Sequence, residues 1–447
     1  MTSPLSPTGP GTPSLRQYTA ANAAGTGAAV SVGGKDRSGL PKYTTPSTIK
    51  QQIPPRVTSH GNSQQPADRI QPADGSGAAD ALLPAGPTAA MHWSRITLKG
   101  SGVPPPLRAH TTTVVGSRLF VFAGCDASVC FADLYVLDTE TLWWSKPKTT
   151  GAAPLPCRAH SASLIMNRYL VVFGGGDGPN YYSSLHVLDT VTMTWHIPAT
   201  SPGSPTPSAR RAHTAFVYNS DLYIYAGGDG VRALSDLYML NTSILSPTNP
   251  SPVLTWTTLP TKGTAPANRG YHTTNLVRNT PHVILYGGSD GHECFSSIHI
   301  LNIATLTWTT PPAQLPPPQA LSDFTNTDAA AAASATSPPR LSHTATQIGS
   351  YLFIFGGHDG SHYNNTILLL NLVTMSWESR SVAGRALPAA RGYHTAVLCD
   401  SRLWLYGGYD GQSLFGDCWV LELGASAYLP QITSFEVGGT TGNAVDD

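Results

Sequence analysis

The chain has 447 residues, equal numbers of acidic and basic side chains and so no formal net charge, and only 12% of its residues are charged. That balance argues against nucleic acid or an anionic membrane surface as the main partner. No stretch approaches the ~20 apolar residues of a membrane span, and the opening Thr2-Ser3-Pro4-Leu5-Ser6-Pro7 has no apolar run, so no export leader is expected. With 43 Gly and 38 Pro, the composition points to a turn-rich all-β protein.

Residues 1–90 are rich in Ser, Thr, Pro, Gly, Ala and Gln and carry no periodic apolar pattern, so they are expected to form a disordered tail. Ser3-Pro4, Ser6-Pro7, Thr12-Pro13 and Thr45-Pro46 within it are candidates for proline-directed phosphorylation. Order is expected to begin at Met91-His92-Trp93 and to run to residue 430, with a second flexible tail over 431–447.

From Pro105 onward a multi-point pattern recurs six times. Each copy opens with Arg and His: Arg108-Ala109-His110, Arg158-Ala159-His160, Arg211-Ala212-His213, Arg269 with His272, Arg340 with His343, and Arg391 with His394. A short apolar strand follows, then a polar turn, then a β-branched and aromatic run such as Leu119-Phe120-Val121-Phe122 that ends in glycines. An Asp closes each glycine signature: Asp126, Asp177, Asp229, Asp290, Asp359 and Asp410. Twelve residues beyond it stands Asp138, Asp189, Asn241, Asn302, Asn371 or Glu422. A third strand of the type Leu134-Tyr135-Val136-Leu137 lies between, and a fourth carries Trp144, Trp195, Trp256, Trp308 or Trp377. Successive histidines are 50, 53, 59, 71 and 51 residues apart.

These residues resemble the kelch repeat: Arg and His at the start, the Gly-Gly doublet, an aromatic third strand and a late Trp. The resemblance covers residues 91–430 and implies a six-bladed kelch β-propeller. The sixth copy has no Trp in its fourth strand, whereas Met91 to Leu98 reads as a fourth strand with nothing before it. Residues 91–98 are therefore expected to complete blade six and close the ring. In the alternative, Tyr428 ends a self-contained sixth blade and Trp93 is left over.

The six Arg, His and Asp positions are read as local framework, because every copy has them while a catalytic site needs one or two special ones. The glycines are read as structural and the tryptophans as packing between blades. Antiparallel order puts the loops between second and third strands on the same face as the linkers between blades. The residues that vary there are the candidates for partner binding: Asn180, Tyr181, Arg232, His292, Glu293, His358, His362, Tyr363, Tyr409 and Gln412. A long linker at 311–339 is expected on that face, and an insert at 242–252 on the opposite one, both as flexible surface loops.

The resemblance implies a non-enzymatic adaptor or scaffold that binds a protein partner, similar to fungal tip-elongation and cell-polarity kelch proteins. It also leaves an enzyme as the alternative, a galactose-oxidase-like oxidoreductase or a sugar mutarotase. No Cys–Tyr–His set or iron-site spacing stands out from the repeats, so no catalytic residue, cofactor or metal is expected. The six cysteines have neither Cys-x-x-Cys nor Cys/His metal spacing. Without an export signal they suggest a reducing compartment, the cytoplasm, with the cell cortex or nucleus included.

Overall fold

Short runs of β-branched and aromatic residues, each ended by Gly, Asp or Pro and joined by tight turns, pair with their sequence neighbours and assemble as small antiparallel sheets. A computed structural model describes residues 91–311, 338–378 and 382–424 and shows six such sheets. Blade I comprises Thr111–Val115, Arg118–Phe122, Leu134–Asp138 and Trp143–Ser145, paired in that order from the inside out. Blades II to V repeat this order, from Ser161–Ile165, Thr214–Tyr218, Thr273–Leu276 and Thr344–Ile348 as innermost strands.

Blade VI takes three strands from the end of the chain, Thr395–Cys399, Arg402–Tyr406 and Cys418–Glu422. Its outer strand is Met91–Ile96, antiparallel to Cys418–Glu422 with Trp93 opposite Leu421. The propeller is thus six-bladed and closed by the N-terminal strand, as expected. Residues 1–90, the linker positions 312–337 and the end of the chain from 425, including Tyr428, lie outside the described residues.

The chemistry at one repeat position reflects this closure. Asp138 accepts hydrogen bonds from the Glu140 and Thr141 amides, and Asp189, Asn302 and Asn371 do the same for the tight turn into their outer strands. The sixth copy has Glu422, where the outer strand arrives from the other end of the sequence and the third strand has no such turn to cap.

Six hydrophobic layers fill the spaces between neighbouring blades. The aromatic residue before each glycine doublet lies between the Trp and the His of the next blade. Phe122 meets Trp195 and His160, Phe173 meets Trp256 and His213, Tyr225 meets Trp308 and His272, and Tyr286 meets Trp377 and His343. Tyr406 meets Trp144 and His110, and Phe355 meets Trp93 and His394, so Trp93 occupies the place that a sixth-copy Trp would have held. Beside the buried Trp144, Trp143 points to the other face of its strand and is half exposed.

The glycines permit this close approach. The Gly408 amide donates to the Leu107 carbonyl across the closing interface at 2.8 Å, and a Cβ on Gly407 would stand 2.5 Å from that same oxygen. The insert after blade III's third strand differs from the expected loose loop. Leu245 is buried in the core layer, and Thr242 Oγ1 donates to the Ser220 carbonyl at 2.6 Å.

Candidate functional site

The residue before each framework His, two positions ahead of the innermost strand, is left-handed: Ala109, Ala159, Ala212, Tyr271, Ser342 and Tyr393, with φ between 53° and 59°. This turns each peptide toward the axis. The Ala159 amide donates to Ala109 O, Ala212 to Ala159, Tyr271 to Ala212, Ser342 to Tyr271, Tyr393 to Ser342 and Ala109 to Tyr393, at 2.8–3.0 Å. Six backbone hydrogen bonds thereby form a closed ring around the axis.

A second ring lies against it. The residue after each His is Thr or Ser, and its hydroxyl bonds the Nε2 of the His in the next blade: Thr111 to His160, Ser161 to His213, Thr214 to His272, Thr273 to His343, Thr344 to His394 and Thr395 to His110. All six imidazoles are buried. Burial holds His110, His160, His213 and His343 down to about 3, and His272 and His394 well below the ordinary histidine value. They are neutral struts. The alternation of His with a hydroxyl residue is visible in the sequence and was the sign of this ring that the sequence reading passed over.

The arginines separate into two sets, a correction to the sequence reading, which treated them as one. Arg210, Arg269, Arg340 and Arg391 stand three residues before their His and are buried. Arg391 forks onto Asp417 at 2.6 and 3.1 Å, donates to the Gly407 carbonyl at 3.0 Å and lies over the Phe415 ring. Arg210 forks onto Asp236 in the same way, while Arg269 and Arg340 reach the Ser297 and Thr366 hydroxyls. Leu107 and Cys157 take this position in blades I and II. Arg108, Arg158 and Arg211 stand one residue later and line the mouth of the axis instead. The corresponding residues of blades IV to VI are Gly270, Leu341 and Gly392.

The mouth is a cleft of about 290 Å³ on the face of the second-to-third-strand loops. Arg108, Arg158 and Arg211 line one side, Tyr271 and Tyr393 the other, and Cys125, Cys130, Asp126 and Asp177 the loop edge. Each loop is a miniature hairpin pinned by its Asp. Asp126 accepts from the Ser128 and Val129 amides at 2.6 and 2.7 Å, hydrogen bonds that hold its carboxyl below the usual range. Asp229, Asp290, Asp359 and Asp410 pin their loops in the same manner.

The structure divides the sequence-selected loop residues into two kinds. Asn180, Arg232, His292, Glu293, His362 and Gln412 are exposed on the loop tips. Tyr181, His358, Tyr363 and Tyr409 are partly or fully committed to packing. The Arg211 guanidinium lies over Tyr181 of the preceding blade at 4.1 Å and donates to its hydroxyl. Arg108 lies over Tyr409 at 4.5 Å, and Tyr363 packs edge-on against both Tyr409 and His358. His358 Nδ1 accepts from the Gly360 amide. The residues that sequence reasoning missed are those of the mouth itself: Arg158, Tyr271, Tyr393 and the two cysteines.

Among the described residues no group of three or more His, Cys, Asp or Glu is placed to hold a metal ion, and no helix is long and apolar enough to cross a membrane.

The chain is similar to acyl-CoA-binding domain-containing protein 4 of Arabidopsis thaliana, 26% identical over 328 residues, 70% of this chain and 44% of the relative. It is also similar to host cell factor 1 of Homo sapiens, 28% identical over 386 residues, 77% of this chain and 18% of the relative. Acyl-CoA-binding domain-containing protein 5 of Arabidopsis thaliana is 33% identical over 202 residues, 45% of this chain and 30% of the relative. The chain spans less than half the length of these relatives. The family model described as the KLHDC2/KLHL20/DRC7 Kelch-repeats domain matches residues 85–227, 183–329 and 323–437. With six sheets in a closed ring and the model matching nearly all of it, the chain belongs to the kelch-repeat β-propeller family.

Proposed function

We propose that this propeller is a non-enzymatic interaction module that docks a protein partner over the axial mouth on its loop face. The observation that carries this reading is the asymmetry of the mouth. Framework positions repeat around the ring, while the side chains facing the cleft change from three arginines to two tyrosines. A rigid ring whose side chains diverge around one concave rim suits recognition. Arg and Tyr are also the residue types that carry most binding energy at protein interfaces. Asp126 and Asp177 spend carboxylate oxygens on their own loops. The arginine side therefore suits an acidic side chain and the tyrosine side an apolar one. Exposed Asn180, Arg232, His292, Glu293, His362 and Gln412 would form the outer rim. The six cysteines, all free thiols, suit work in a reducing compartment such as the cytoplasm or nucleus.

The test compares proteins captured by the native chain and by the double variant Arg158→Glu, Tyr271→Ala. Captured species are expected to fall at least tenfold while the variant keeps a cooperative thermal transition, lowered by the loss of the Tyr271–Tyr393 ring contact. An unaltered capture profile from a folded variant overturns the assignment of the mouth.

A further inference from the structure

The loop of blade I differs from the other five at the two positions that face each other across its miniature hairpin. These positions hold Gly176 and Tyr181 in blade II, Gly228 and Ala233 in blade III, Ser289 and Cys294 in blade IV, His358 and Tyr363 in blade V, and Tyr409 and Leu414 in blade VI. In blade I both are cysteines, Cys125 and Cys130. The Asp126 amide donates to Val129 O and the Phe131 amide to Gly124 O, so the two cysteines form the non-hydrogen-bonded pair between those bonds. Such pairs bring their Cα atoms to about 4.5 Å, within the span that a disulfide bridges. On its other side Cys125 exchanges both backbone hydrogen bonds with Arg108 at 3.0 Å, which fixes its place.

We propose that Cys125 and Cys130 are a reversible thiol–disulfide site, oxidised by a small peroxide that enters the axial mouth. Both cysteines line the mouth cleft, Cys125 buried at its wall and Cys130 partly exposed, and Arg158 Nη1 stands 3.6 Å from Cys125 Sγ. The hydrogen bond from Cys130 and the positive charge of Arg158 outweigh burial and lower the Cys125 thiol, while Cys130 is pushed up. Cys125 is thus the attacking thiolate and Cys130 the resolving thiol. The Cys125 sulfur attacks one peroxide oxygen and the O–O bond breaks. This leaves a Cys125 sulfenic acid, and the departing hydroxide becomes water by taking a proton. The Cys130 sulfur then attacks the Cys125 sulfur, and the sulfenic hydroxyl leaves as water with the Cys130 proton. Two thiols lose two electrons and two protons, and hydrogen peroxide gains them as two waters. A dithiol reductant reverses the change by exchange.

The experiment treats the full chain with hydrogen peroxide, alkylates it, digests it with trypsin and weighs the peptide from Leu119 to Lys148, which contains these two cysteines and no others, the Lys146-Pro147 bond being resistant to trypsin. The expected product is that peptide lighter by about 2 Da and closed to alkylation until reduced, since a disulfide has lost two hydrogens. In Cys130→Ser the same treatment is expected to drive Cys125 on to the sulfinic acid, a gain of about 32 Da. Two alkylated thiols after peroxide overturn the proposal, as does linkage of this peptide to the one carrying Cys157. A native chain whose Cys125 goes directly to the sulfinic acid overturns it too.

Discussion

Blades I to III and blades IV to VI give the axis the same backbone and its mouth different side chains. All six contribute a left-handed residue to the ring of peptide hydrogen bonds and a His to the ring beneath it. On one half, small Ala109, Ala159 and Ala212 leave room for Arg108, Arg158 and Arg211. On the other, Gly270, Leu341 and Gly392 bring no charge, and Tyr271 and Tyr393 meet edge to face at 5.8 Å. Closure of the ring constrains the backbone and the buried struts. It does not constrain what points into the cleft, so that is where the halves are free to differ.

Acid is the strongest way to test whether the framework really is shared. Each ring His is neutral when folded and takes a proton near pH 6.5 when unfolded, so the unfolded chain binds more protons below that pH. Stability is therefore full above pH 6.5 and is lost as pH falls from there toward 3. Each such His contributes a slope of about 1.4 kcal/mol per pH unit, and six together about 8 near pH 5. The carboxylates held below their usual range act in the same direction but only near pH 4 and under. Urea midpoints measured from pH 7 to 4.5 are expected to fall steeply. Replacing His160 or His343 by Gln should reduce the slope by the same one-proton step. Unequal steps would show that the halves differ in framework as well as in mouth.

The two arginine sets give the next largest contrast. Arg391→Ala leaves the partly buried Asp417 and the Gly407 carbonyl without their cation, at a cost of about 3 kcal/mol. Arg158→Ala removes a partly exposed side chain whose guanidinium donates to the Cys125 sulfur rather than to a carboxylate, and should cost less than about 1 kcal/mol. Denaturant unfolding of the two variants distinguishes strut from mouth. Equal losses would return both arginines to a single structural class.

The blades, their order and the seam were legible because each rests on periodic apolar runs and on residues that only one backbone shape accepts. Glu422 in place of Asp or Asn was even a chemical trace of the seam. The two arginine sets were not separable in the same way. They differ by one position relative to His, and along a strand one position exchanges the buried face for the open one. Tyr181, Tyr363 and Tyr409 looked like free recognition residues because the sequence shows variation but not the neighbouring blade. It is Arg211, Arg108 and the adjoining tyrosine that occupy them. The facing of Cys125 and Cys130 needed the hairpin register, which spacing alone does not supply.

The smallest expected effect differs in sign between the halves. At φ of 53° Ala159 carries the strain of a left-handed L-residue, about 1–2 kcal/mol. Glycine removes that strain and adds back about 0.5–1 kcal/mol of chain entropy. Ala159→Gly should therefore be neutral or stabilising by up to about 1.5 kcal/mol. Tyr271 sits at φ 59° and gains the same relief as glycine, but it loses its ring contact with Tyr393. That contact is worth about 0.5–1.5 kcal/mol beyond the area it buries. Its loss, with the buried apolar area, moves Tyr271→Gly to the destabilising side. Thermal melting of the two variants checks the ordering. If Tyr271→Gly is as stable as Ala159→Gly, the tyrosine pair contributes nothing to the ring and is free to open toward a partner.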